Sequence, residues 1–163
     1  METNDLKNTS DDPKEIPAQV PGLKMLDIFV GKWRVQGESF GGQASSDFPE
    51  TWVSDETYEW LPGGYFLLHR WDARVGSKEF TGIEILGYDD ATDSYFARMF
   101  DNMGNKPEYR IRRDEGTWMF TESASRATVT ESIDGSTMEW KREWQKPGGD
   151  WQPLCNRTAT RLR

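Results

Sequence analysis

Histidine and cysteine are almost missing from this chain: 163 residues contain one of each, His69 and Cys155. A single cysteine leaves no internal disulfide to form, which fits a reducing compartment better than secretion. Zinc or iron sites built from several His or Cys ligands are excluded by count. A serine or cysteine triad normally needs a histidine base, and only His69 is on offer. No Gly-x-Ser-x-Gly elbow accompanies any serine. Cys155 falls in a strand-like run, where a lone buried thiol is usually inert. Phosphate loops and dinucleotide fingerprints are also missing, because the glycines sit in turn-like stretches. "YDDATDSY" (88–95) lacks the spacing of a calcium loop and reads as a plain hairpin.

Long apolar runs and positive charge are scarce too. No stretch approaches the ~20 apolar residues that cross a bilayer. The first 19 residues, "METNDLKNTSDDPKEIPAQ", have neither a basic nor an apolar segment of a signal peptide, so a cytoplasmic location is expected. The net charge of −8 disfavours nucleic acid, which needs a basic face, and anionic membrane surfaces for the same reason. The one basic cluster, "YRIRRD" (109–114), is bounded by acids and reads as the solvated face of a strand.

What the chain has in quantity is aromatic side chains: eight Trp, eight Phe and five Tyr, enough to pack a core, line a pocket, or both. Residues 1–20 are polar and without period, which predicts a flexible tail; 21–163 then form one domain. Leu23, Leu26 and Phe29 or Val30 recur at helical spacing and predict a short helix. Beyond it, "PGG" (62–64), "DDATDS" (89–94), "DNMGNKP" (101–107), "DEG" (114–116), "DG" (134–135) and "KPGGD" (146–150) punctuate strand-like runs. About ten short strands result, with no room for crossover helices. That pattern is an all-β antiparallel up-and-down β-barrel, or less well a sandwich, because closure removes exposed edges.

The period of two sorts the faces. Trp33 and Val35 should point inward, as should Trp52, Ser54, Glu56, Tyr58 and Trp60. So should the odd positions from Tyr65 to Val75, with His69 and Trp71 among them. Tyr109 and Ile111, Trp118 and Phe120, and Met138, Trp140 and Trp144 complete the set. Arg161 and Arg163 share a parity near the end. Either arginine could lie over the Trp33 ring and close the barrel between first and last strands.

"FVGKW" (29–33) after a short helix, with a meander and a late arginine, resembles the calycin superfamily of lipocalins and fatty-acid-binding proteins. "LPGGYFLL", "GIEILGYDDATDSYFARMFDNMGN" and "TATRLR" resemble, over about 23–163, the bacterial family called domain of unknown function 1579. That resemblance implies a calycin-like barrel and no particular activity. Among calycins the nitrobindins bind haem through a histidine late in the barrel. Residues 145–163 contain none, so haem is disfavoured and no cofactor or metal is expected.

Polar residues on the inward faces are the candidates for function: Glu56, His69 and Arg142, joined by Arg98 or Glu84, whose parity is ambiguous. A charge inside a small barrel is costly unless paired. Three readings stay open: an ion pair such as Glu56 with Arg142, a ligand site where an arginine meets a carboxylate, or a shifted register that turns these groups to solvent. The preferred function is a barrel binding a small, largely apolar ligand, an acid among the options. Its candidate ligand-binding residues are Glu56, Tyr58, His69, Trp71, Tyr109, Trp118, Trp140 and Arg142. One alternative is a side-chain-filled barrel used for protein contacts, including a homodimer through a Trp-lined mouth. The other is a metal-independent isomerase-type enzyme using His69, which rests on fold analogy alone.

Overall fold

The computed structural model describes residues 20–41 and 49–163; the polar tail expected at the N-terminus lies outside them except for Val20. Pro21–Lys24 form a single helical turn, α1, with proline at its first position, where the missing N–H costs nothing. A 3-10 turn at Met25–Ile28 continues it. Ten strands follow: β1 (Gly31–Ser39), β2 (Glu50–Trp60), β3 (Leu67–Val75), β4 (Lys78–Asp89), β5 (Ser94–Asp101), β6 (Glu108–Asp114), β7 (Thr117–Thr121), β8 (Ser125–Glu131), β9 (Thr137–Gln145) and β10 (Trp151–Arg161). Each pairs antiparallel with its chain neighbours, and β1 also pairs with β10, so the sheet is a closed barrel.

The hairpins sit where turn chemistry demands them. Between β6 and β7, Glu115 and Gly116 have φ of 43° and 85°, two consecutive left-handed residues that match the twist of the flanking strands. The inward alternation follows the pattern in the sequence: Trp33, Val35, Ser54, Tyr58, Ile111, Trp118, Phe120, Val129 and Met138 are buried. Tyr65 departs from it. The turn after β2 extends to Phe66, β3 starts only at Leu67, and Tyr65 is exposed.

One end of the barrel is plugged. Leu23, Leu26 and Phe29 are buried, and the Phe29 ring lies 5.6 Å from Tyr58, 5.2 Å from Trp118 and 6.4 Å from Phe120. The Tyr95 hydroxyl donates to the Gly22 carbonyl at 2.8 Å and ties the plug to β5. Trp33 sits beneath it, its indole N–H donating to the Phe29 carbonyl at 2.8 Å. Of the two arginines considered for the closing contact, it is Arg161 that covers Trp33, its guanidinium 4.1 Å from the ring centroid. Arg161 also donates to the carbonyls of Val30, Ile28 and Gly135, tying the last strand to the plug segment and to the turn between β8 and β9. Gly31 permits this approach, because a Cβ there would lie 2.9 Å from the Arg161 guanidinium.

Candidate functional site

The other end of the barrel opens into a cavity of about 710 Å³, within the usual range for small-molecule pockets. Glu56, Tyr58, His69, Trp71, Tyr109, Trp140 and Arg142, singled out in the sequence, all border it. Trp118 does not. It packs 5.2 Å from Phe29 and 5.0 Å from Tyr95 under the plug, because β7 meets the barrel wall nearer its closed end.

Three neighbouring strands carry the polar centre. The register pairs Tyr58 of β2 with His69 of β3, and His69 with Glu84 of β4. The imidazole therefore lies between two carboxylates: Nε2 is 3.0 Å from Glu56 and Nδ1 3.2 Å from Glu84. Both ring nitrogens face acceptors, so only the imidazolium satisfies both contacts as a donor. Burial favours the neutral ring, but the two carboxylates outweigh it and hold the His69 pKa above 6.5. Tyr58 stacks flat on the imidazole, with centroids 3.9 Å apart and planes 5° apart.

Glu56 is held by more than His69. The Ser54 hydroxyl donates to it at 2.7 Å and itself accepts the Trp52 indole N–H at 3.1 Å. Arg157 of β10 lies 3.7 Å away. Burial alone would raise the Glu56 pKa; the His69 hydrogen bond and charge, Arg157 and Ser54 bring it down to about 2. Arg157 is clasped between aromatic faces, 4.6 Å from the Trp52 ring and 5.5 Å from Trp140.

The partner expected for Glu56, Arg142, is engaged elsewhere: it donates to the Tyr109 hydroxyl at 3.0 Å and lies over that ring. The reason is topological. Only β1 separates β2 from β10, and at the crossing β1 carries Gly37, which faces both Trp52 and Arg157 in register. With no side chain there, the guanidinium reaches across to β2, whereas Arg142 on β9 is one strand further away. Of the two residues with ambiguous parity, Glu84 is the inward one; Arg98 is exposed and pairs with Glu108 at 3.1 Å.

Arg157 is the cavity-lining charge beside Glu56 that the sequence reading missed. The signal was there, since Arg157 shares the parity of Ala159 and Arg161, both of which turn inward. Trp71 owes its position to Gly82, its register partner: a Cβ on Gly82 would sit 2.2 Å from the indole.

Among the described residues, four buried side-chain atoms around this cavity have no hydrogen-bond partner: Tyr58 Oη, Trp71 Nε1, Arg142 Nε and Arg157 Nε. All four carry a proton to donate. Among the described residues, no group of three or more His, Cys, Asp or Glu is placed to hold a metal ion. No helix among them is long and apolar enough to cross a membrane.

Residues 21–161 match the family described as "protein of unknown function (DUF1579)". No curated protein matches the chain in sequence. Among solved structures, Rv2717c from M. tuberculosis superimposes with a TM-score of 0.62 at 13% identity, over 90% of this chain and 100% of that one. The S-type phycobiliprotein lyase CPES from Guillardia theta gives 0.58 at 11% identity, over 86% of this chain and 92% of that one. At such identities the likeness shows the barrel fold.

Proposed function

We propose that this chain, which belongs to the DUF1579 family, is a small-molecule-binding barrel. Its ligand has an apolar, flat body and at least one oxygen acceptor. The observation that carries the reading is the set of four buried donors without partners, all on residues bordering one open cavity. A buried donor left unsatisfied costs about 1–3 kcal/mol, so a fold that keeps four together gains by offering them to a ligand. Trp52, Phe120 and Trp140 supply apolar walls. The likeness to a phycobiliprotein lyase is in keeping with a small-molecule-binding barrel. The sequence features that favour a cytoplasmic location belong to the same reading.

Native mass spectrometry of protein purified without added ligand tests it. An extra mass that is lost on denaturation supports the reading. A bare mass, together with no change in tryptophan fluorescence across a panel of flat aromatic compounds, sinks it.

The enzyme reading draws less from the geometry. A general base needs a free nitrogen lone pair, and both His69 nitrogens are directed at carboxylates. The same occupation leaves no ring nitrogen to ligate a haem iron.

A second reading, contact with another copy of this chain, is favoured by one observation away from the mouth. Phe66, Leu68, Ile83, Ile85, Phe96 and Phe100 form an apolar strip on the outer face of β3–β5, with Phe66 and Phe100 exposed. Arg70 with Glu59 and Arg98 with Glu108 border the strip with both signs of charge, which suits a self-complementary contact.

A further inference from the structure

The buried groups of the cavity define what the ligand must bring. On the protein side the buried acceptors already receive donors. Glu56 receives Ser54, His69 and the Arg157 contact, Glu84 receives His69, and the Tyr109 hydroxyl receives Arg142. The donors left over are two guanidinium N–H groups, one phenol and one indole. A neutral carbonyl offers two lone pairs, whereas an ionised carboxylate offers about four and no donor to waste.

Charge points the same way. Arg142 and Arg157 both border the cavity, so a carboxylate at that end would meet two guanidinium groups.

The four donors are also near one another in the sheet. Arg157 pairs in register with Trp140 and Arg142 with Cys155, so the arginines are diagonal neighbours on the inner face of β9 and β10. Glu56 pairs with Trp71, contacts Arg157, and lies two residues from Tyr58 on the same face. The donors therefore ring the Glu56 end of the cavity, and the aromatic walls lie beyond them.

We propose that the ligand is a flat organic acid whose single carboxylate is bound between Arg157 and Arg142, with Tyr58 and Trp71 as further donors. This rests on the small-molecule-binding reading above and sharpens it to a substrate class. The groups that face His69 set its pH behaviour: Glu56 and Tyr58 on β2, Glu84 on β4 and Arg157 on β10. Loss of the imidazolium proton takes one positive charge away from the ligand's surroundings, so the acid's advantage declines as pH rises.

The test is calorimetric titration of the full chain with 2-naphthoate and with 2-naphthamide, which share one ring system and differ in charge. At about pH 6 the acid should bind about tenfold or more tightly than the amide, in line with charge-assisted pairing. Arg142→Gln should remove most of that advantage by weakening the acid more than the amide, and Arg157→Lys should keep part of it. Raising the pH to about 9 should shrink the advantage. Equal affinities, or an amide that binds better, would overturn the acid assignment while the binding barrel stands. So would an advantage untouched by Arg142→Gln. If neither compound binds, native mass spectrometry decides. A co-purified acid upholds the assignment, a neutral occupant overturns it, and a bare mass overturns the binding reading together with it.

Discussion

Arg157 joins the two halves of the polar centre, and its removal should show how much they depend on it. Arg157→Met takes away the cation beside Glu56 and the aromatic clasp on Trp52 and Trp140. Breaking a buried pair from one side typically costs about 3–5 kcal/mol, which a urea midpoint would report. Adding Glu56→Gln should recover part of the loss, because the uncompensated carboxylate goes with it; strict additivity would show that the two residues are uncoupled. Titration at the same centre sets a pH window. His69 has its pKa raised by its carboxylates, so its contribution is complete below 6.5 and is lost as pH rises through the higher folded value. Glu56 has its pKa depressed to about 2, so its contribution is complete above 4.5 and is lost as pH falls towards 2. Stability should therefore be greatest between about 4.5 and 6.5. His69→Gln should remove the decline on the alkaline side, with thermal melts across pH as the check.

At the level of the strands, two glycines decide where the site can be. Gly37 lets β10 and β2 communicate across β1, and a Cβ there would meet the Asn156 carbonyl oxygen at 2.0 Å. Backbone cannot yield as a side chain does, so Gly37→Ala should part the β1–β10 seam and cost at least the ~1–3 kcal/mol typical of overpacking. Amide exchange at β1 and β10 would register the opening before the distal strands β5–β7 respond. Gly82→Ala would meet the Trp71 ring at 2.2 Å and the Phe100 carbonyl oxygen at 2.4 Å, so it should push the indole into the cavity, strain the β4–β5 seam, and lower both ligand binding and the melting temperature. Equal binding by this variant would mean that Trp71 does not form the wall proposed for it. The short helix was legible at this scale from the spacing of Leu23, Leu26 and Phe29, and its seat as the barrel's plug was not. The role of Trp118 was not, because parity tells inward from outward and says nothing about height along the barrel axis.

For the molecule as a whole, a net charge of −8 surrounds a cavity that Arg142 and Arg157 border. The carboxylate ligand proposed above would be repelled at long range and would meet the two arginines only once inside. Its association rate should thus rise with added salt, the reverse of a steered encounter, while the dissociation rate changes little. Stopped-flow tryptophan quenching with 2-naphthoate measures both. The outer strip on β3–β5 acts at this scale too: if it joins two copies, light scattering should give a dimer, and Phe100→Glu should convert it to monomer without altering the cavity. A monomer at every concentration for the unmodified chain would end that reading.

The alternation of apolar and polar residues, the turn residues between runs and the scarcity of helical period were enough by themselves for the all-β meander, its strand count and its inward faces. Each depends on neighbours within a few residues, and the period of two is a property of the strand backbone. The pairing of Trp33 with an arginine near the chain's end was legible as well, because closing a meander leaves only the first and last strands to meet. Which cation reaches Glu56 was decided by the tertiary structure alone. It depends on which strands flank β1, on the missing side chain at Gly37 and on the depth of each residue in the barrel. None of these is a local property of the chain, and together they gather Glu56, His69, Glu84 and Arg157 from β2, β3, β4 and β10 around one cavity.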